Sequence, residues 1–159
     1  MKRRWLVYAL VGVTFGVFDY YYQGLIAPWS GIAVHLFLVL GVWLIPVVPV
    51  ALYETRATGS LWLSALAGVL TWFTAIVAYY LFNAIELLLL GVPRRPEMHV
   101  SNRDDPFFWQ NWQSVLRYDI LGGILEWSLV AILGGAIVGF LVSLVYRSIR
   151  RAHPGPEPG

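Results

Sequence analysis

The 159-residue chain contains no cysteine, which excludes a disulfide framework, thiolate metal sites, iron–sulfur clusters and cysteine nucleophiles. Charge is scarce. Only 13% of the residues are Asp, Glu, Lys or Arg, roughly half the share of about 25% in an ordinary soluble domain. No H-E-x-x-H, E-x-x-H or G-x-S-x-G pattern occurs, so no motif points to metal-assisted hydrolysis or an activated serine. A net charge of +2, with the basic residues at chain ends and in links beside apolar runs, makes no case for a nucleic-acid partner. The ten-residue alternation of a membrane β-barrel is missing, as is the paired motif of an inverted-repeat transporter.

What is present is apolar and aromatic. Hydrophobic residues make up 58% of the chain and aromatic ones 16%, with a mean hydropathy of +0.66. A soluble core of this length cannot hide so much apolar surface, and Trp and Tyr favour membrane–water interfaces. The sequence therefore reads as an all-α integral membrane protein, with one domain over residues 1–146. Four stretches reach the roughly 20 residues of a span: Trp5 to Gly24, Gly31 to Tyr53, Leu61 to Leu90 and Ile120 to Tyr146. Short links, Leu25 to Ser30 and Glu54 to Ser60, make the first three antiparallel neighbours, and the expected fold is a four-helix antiparallel transmembrane bundle. Lys2, Arg3 and Arg4 look like the start of a secretory leader. The apolar run, however, continues into Asp19-Tyr20-Tyr21-Tyr22-Gln23 without a small-x-small cleavage site, so it reads as a retained helix.

Orientation follows the positive charges. Lys2, Arg3, Arg4, Arg56, Arg147, Arg150 and Arg151 fall on one side of the expected bundle. Arg94, Arg95, Arg103 and Arg117 fall on the other, diluted by Glu97, Asp104 and Asp105. Both termini are expected in the cytoplasm, in a plasma (inner) membrane. Tyr20, Tyr21, Tyr22, Trp29 and Tyr118 would form the outer aromatic belt, and Trp5, Tyr53, Trp62 and Tyr146 the inner one. In the long link before the fourth span, Asp104-Asp105-Pro106 is a helix start. Phe108, Trp112, Val115 and Leu116 follow at helical spacing, so Pro106 to Arg117 reads as an amphipathic helix on the outer membrane surface. The tail over residues 147–159 reads as disordered.

Four ionisable residues interrupt the spans, one on each: Asp19, His35, Glu86 and Glu126. A charge at mid-bilayer costs about 2.5–3.5 kcal/mol on the insertion scale, so such groups are expected to face the bundle interior. Counted from the outer helix ends, they lie about 13, 6, 7 and 10 Å deep respectively, all in the outer half. Asp19 shares a stripe with Gly12 and Gly16. Glu86 shares one with Tyr79, with Asn83 at its edge. Glu126 aligns with Asp119, itself suited to a helix N-cap, while Gly135 and Gly139 lie nearly opposite. The expectation is a polar cluster of Asp19, His35, Asn83, Glu86 and Glu126, with Tyr79 below, suited to an ion or a substrate. If a metal binds, its donors come from His35, Glu86, Glu126 and Asp19. No motif indicates a cofactor.

Gly12-x-x-x-Gly16 and Gly135-x-x-x-Gly139 mark faces for close helix approach, within one bundle or between copies. Pro46 and Pro49 should kink or widen the second span. Three functional readings stand, in this order: an accessory, assembly or structural component of a membrane complex; a proton- or cation-coupled carrier of small solutes; and a metal-dependent intramembrane enzyme. The partners expected are the lipid bilayer and either further copies of the chain or a larger membrane protein.

Overall fold

The computed structural model describes residues 2–26, 32–91 and 104–152, and these are helical with no strand among them. The elements are α1 (Lys2–Ile26), α2 (Ile32–Val42), α3 (Leu44–Thr58), α4 (Leu61–Leu90), α5 (Phe108–Ser114), a π-helical segment (Val115–Leu121) and α6 (Gly122–Ala152). Three stretches are long and apolar enough to cross a membrane: Leu40–Thr58, Leu61–Leu90 and Phe108–Ala152. α1, with its run of tyrosines and Asp19, is not among them despite its 25 residues.

Helix boundaries follow from local chemistry. The second apolar stretch is interrupted at Trp43, because Pro46 has no N–H for the carbonyl of Val42 and its ring crowds that carbonyl. α3 then continues past the expected end at Tyr53 to Thr58. It stops at Gly59, whose φ of 66° lets its N–H reach the Thr55 carbonyl at 2.8 Å. The Ser60 hydroxyl accepts the Leu63 N–H and opens α4 at once, so the link is two residues long. Gly91, at φ 70°, closes α4 in the same way.

α4 is the central helix, packed against α1, α3 and α6, while α1 meets α3 only sparingly. Gly12 of α1 lies on Thr71 and Gly16 on Ala75, so α1 and α4 run in the same direction. Gly123, Gly134, Gly135 and Gly139 of α6 meet Tyr80, Trp72, Gly68 and Ser64 in turn, so α6 runs back along α4. α1 therefore begins, and α6 ends, at one end of the bundle, here called the near end. Arg56 over the Tyr146 ring, 5.4 Å from its centroid, joins the ends of α3 and α6 there. Mid-bundle, Trp43 stacks on Trp72 at 5.6 Å and meets Phe15 edge-on, which fills the break between α2 and α3 with aromatic surface.

The expected surface helix followed by a separate fourth span is replaced by one helical run from Phe108 to Ala152. Ahead of its start the Phe107 N–H donates to Asp105 Oδ1 at 2.8 Å across Pro106, and no side chain caps the N-terminus of α5 itself. Of the expected apolar stripe, Phe108 and Val115 are buried with Ala84 and Leu87 at the far end of α4 and Trp112 packs half-buried against them, while Leu116 is exposed. The π-helical turns explain how the chain then passes Asp119. An α-helical step of four residues from Val115 would carry Asp119 into that apolar cluster. The wider turn, in which the Gly122 N–H reaches the Arg117 carbonyl, brings Ile120 there instead. α6 also continues six residues beyond the Tyr146 end expected from hydropathy, as far as Ala152; residues 153–159 lie outside the described part.

Candidate functional site

Polar side chains collect at both ends of α1. At the far end, Asp19 and Gln23 project from α1 one helical turn apart, and Gln23 Nε2 donates to Asp19 Oδ2 at 2.7 Å. The Tyr79 hydroxyl donates to Gln23 Oε1 at 3.3 Å, and the Tyr20 hydroxyl donates to Glu86 Oε2. Asp19 is fully buried; Tyr20, Tyr79, Asn83 and Glu86 are buried with it. The glycine stripe sets this up. With Gly12 and Gly16 pressed on the α4 backbone, the next residues on the same stripe, Asp19 and Tyr20, are turned towards Tyr79 and Glu86. Tyr20 is thus an interior residue, not a member of an aromatic belt.

The expected cluster assembles only in part. Asp19, Tyr79 and Glu86 share the α1–α4 seam, and Asn83 is buried on α4 one turn from Tyr79 and Glu86. Glu126 does not join them and stands exposed on α6. The stripe that α6 buries is Ser128, Ala131, Gly135, Gly139 and Ser143. Glu126 sits two residues from Ser128, about 200° around the helix. The glycines decide which side of α6 meets α4, and that choice turns Glu126 outward. Asp119 is half-buried inside the π-helical segment, and no helix begins there for it to cap. The side chain of His35 lies outside the described residues. Among the described residues no three histidine or carboxylate side chains gather as metal ligands.

A second cluster, at the near end, was not anticipated. Glu54 is fully buried on α3. The Tyr8 hydroxyl donates to its Oε2 at 2.6 Å, and Arg4 Nη1 stands 3.7 Å from the same oxygen. No donor among the described residues reaches Glu54 Oε1. Hydropathy puts Glu54 in a link because the apolar run ends at Tyr53. The signal that places it inside a helix is Gly59, a stop five residues further on.

Beside the near-end cluster a hydroxyl joins three helices. Ser64 of α4 reaches the carbonyls of Ala51 on α3 at 2.8 Å and Gly139 on α6 at 2.9 Å, and Thr55 lies 3.0 Å from its oxygen. The glycine contacts flank this junction: Gly135 faces Gly68 backbone to backbone, and Gly139 faces Ser64 and Ala65. All four glycines of the two sequence motifs are thus occupied within one chain. Taken together, the buried polar groups tie helix to helix, with α1 pinned at its near end by Tyr8–Glu54 and at its far end by Tyr20–Glu86. No protein-family model matches the chain, and no curated protein or solved structure matches it either.

Proposed function

We propose that the chain is a multi-pass membrane protein in which α1, the α2–α3 pair, α4 and the α5–α6 run each cross the bilayer. In this reading it is an accessory or assembly subunit that docks a larger membrane protein on the exposed face of α6. The observation that carries the reading is Glu126. It stands exposed beside Leu125 and Leu129, which are 71% and 61% exposed, on the most apolar of the three membrane-length stretches. No hydrogen bond or ion pair joins it to another described residue. A charged side chain facing lipid at depth costs about 2.5–3.5 kcal/mol, and a partner that bonds it removes that cost. The use of the buried polar groups as interhelical ties, already described, also fits a scaffold. Arg4, Arg56 and Arg147 collect at the near end, which supports its assignment to the cytoplasmic face of a plasma membrane.

Affinity purification of the tagged chain from native membranes tests this. The wild type should resist carbonate extraction and carry a stoichiometric membrane protein with it, and Glu126→Leu should lose that protein while remaining folded. Equal recovery with both chains, or a chain released by carbonate, contradicts the reading. Burial of Asp19 and Glu86 in one seam favours a second reading, proton- or cation-coupled transport. It requires uptake into proteoliposomes that Asp19→Asn abolishes.

A further inference from the structure

Between α1 and α3 the surface also carries an open groove. Two openings of about 440 and 590 Å³ lie between α1 and α3, with Pro46 lining both and Pro49 the first. They are one groove, because Val7, Val11, Ile45 and Pro46 line both. Arg4 and Tyr53 line its near-end mouth, and Phe15 and Phe18 line its far end. Along α1 the distance from Arg4 to Phe18 is about 21 Å, enough to follow a chain through the roughly 15 Å of one leaflet's hydrocarbon. The walls are almost wholly apolar, and the one charged lining residue is Arg4 at the mouth.

We propose that this groove binds one acyl chain of an anionic phospholipid, whose phosphate lies on Arg4. The proposal rests on the membrane reading above. Arg4 has one ion pair among the described residues, at 3.7 Å to Glu54 through Nη1. The remaining guanidinium N–H groups are available to a phosphate, which they suit by their fork geometry. Glu54 is buried behind Tyr8 and does not line the groove, so the mouth presents the cation and not the carboxylate. Arg3 is exposed beside it and adds to the positive field. Glu54 and Tyr8 have a positioning role, holding Arg4 over the opening.

The test is native mass spectrometry of the full chain released from nanodiscs of equal phosphatidylglycerol and phosphatidylcholine. A monomer should retain one phosphatidylglycerol, preferred about tenfold over phosphatidylcholine. Arg4→Gln should keep a bound lipid but lose the preference. Val7→Trp and Ile45→Trp fill the groove from walls that are 49% and 64% exposed, where the fold tolerates bulk. Each should reduce retained lipid about tenfold with an unchanged helical circular dichroism signal. Retention that is indifferent to headgroup and to both tryptophans means annular lipid only and overturns the proposal. A dimer mass in place of the lipid overturns it in favour of a second copy in the groove. A chain that does not enter nanodiscs overturns the membrane reading and this proposal with it, whereas insertion without selective retention overturns this proposal alone.

Discussion

Replacing Gly135 with alanine should force α4 and α6 apart. A Cβ at Gly135 would meet the carbonyl carbon and oxygen of Gly68 and the Cα of Val69, each at 2.8 Å, where ordinary contact begins at 3.4 Å. All three are backbone atoms of α4, so no rotamer change relieves the clash, and the helices must separate along the seam. Overpacking of this kind costs about 1–3 kcal/mol, and the unyielding neighbours place it at the upper end. Alanine returns about 1 kcal/mol through its helix propensity. The net loss is about 1–2 kcal/mol, a fall in Tm of about 2–8 °C for a chain of this size. Gly41→Ala is the matched control. It lies in α2 with nothing within 4 Å of the added methyl, so it gains the propensity without the clash and should raise Tm by a few degrees. Thermal unfolding of the detergent-solubilised proteins by circular dichroism reads both. The double variant Gly68→Ala/Gly135→Ala should cost less than the two singles together, because the first methyl has already opened the seam. A Gly135→Ala protein that melts at or above the wild type, as Gly41→Ala should, would refute backbone contact between these helices.

Other consequences are open to the same measurement. Tyr8→Phe removes the donor from buried Glu54 and should cost about 1–3 kcal/mol, while Tyr53→Phe, on an exposed ring, should be near neutral. Ser64→Ala deletes the hydroxyl shared by α3, α4 and α6, and a loss between about 0.6 and 1.7 kcal/mol is expected for such a bond in a membrane bundle. The π-helical register is tested by neighbours: Ile120→Ala should cost about 2–5 kcal/mol and Asp119→Ala no more than about 0.5 kcal/mol. Reversed costs at these two positions would mean that Asp119 is the inward residue.

Much of this architecture was legible in the sequence, and the failures share a cause. The span from Leu61 to about Leu90 is legible from the length of its apolar run, and Ser60 and Gly91 fix its ends in the structure. Proline chemistry foretold a disturbance near Pro46, and the break duly falls at Trp43. Asp19, Tyr79 and Glu86 could be placed on facing stripes because Gly12 and Gly16 fix the rotation of α1 against α4. The charge of Glu126 and the stripe it shares with Asp119 favour an inward side, Gly135 and Gly139 favour the opposite one, and backbone packing outweighs the charge. Asp119 departs from its expected place because periodicity assumes 3.6 residues per turn, which the π-helical segment does not keep. Glu54 was overlooked because hydropathy ends at Tyr53, whereas hydrogen bonding carries the helix to Thr58. In each case the sequence shows the preference of a residue, and the competition between neighbouring preferences is settled only by packing.

The docking face of α6 can be tested most directly by photocrosslinking in native membranes. A photoreactive amino acid placed in turn at Leu125, Glu126, Leu129 and Leu133 should give one discrete protein adduct, whereas Leu6 and Leu10, exposed on α1, should give none. Adducts confined to that side of α6 are what the account predicts. No adduct at Glu126, or the same adducts from α1 and α6 alike, would contradict it.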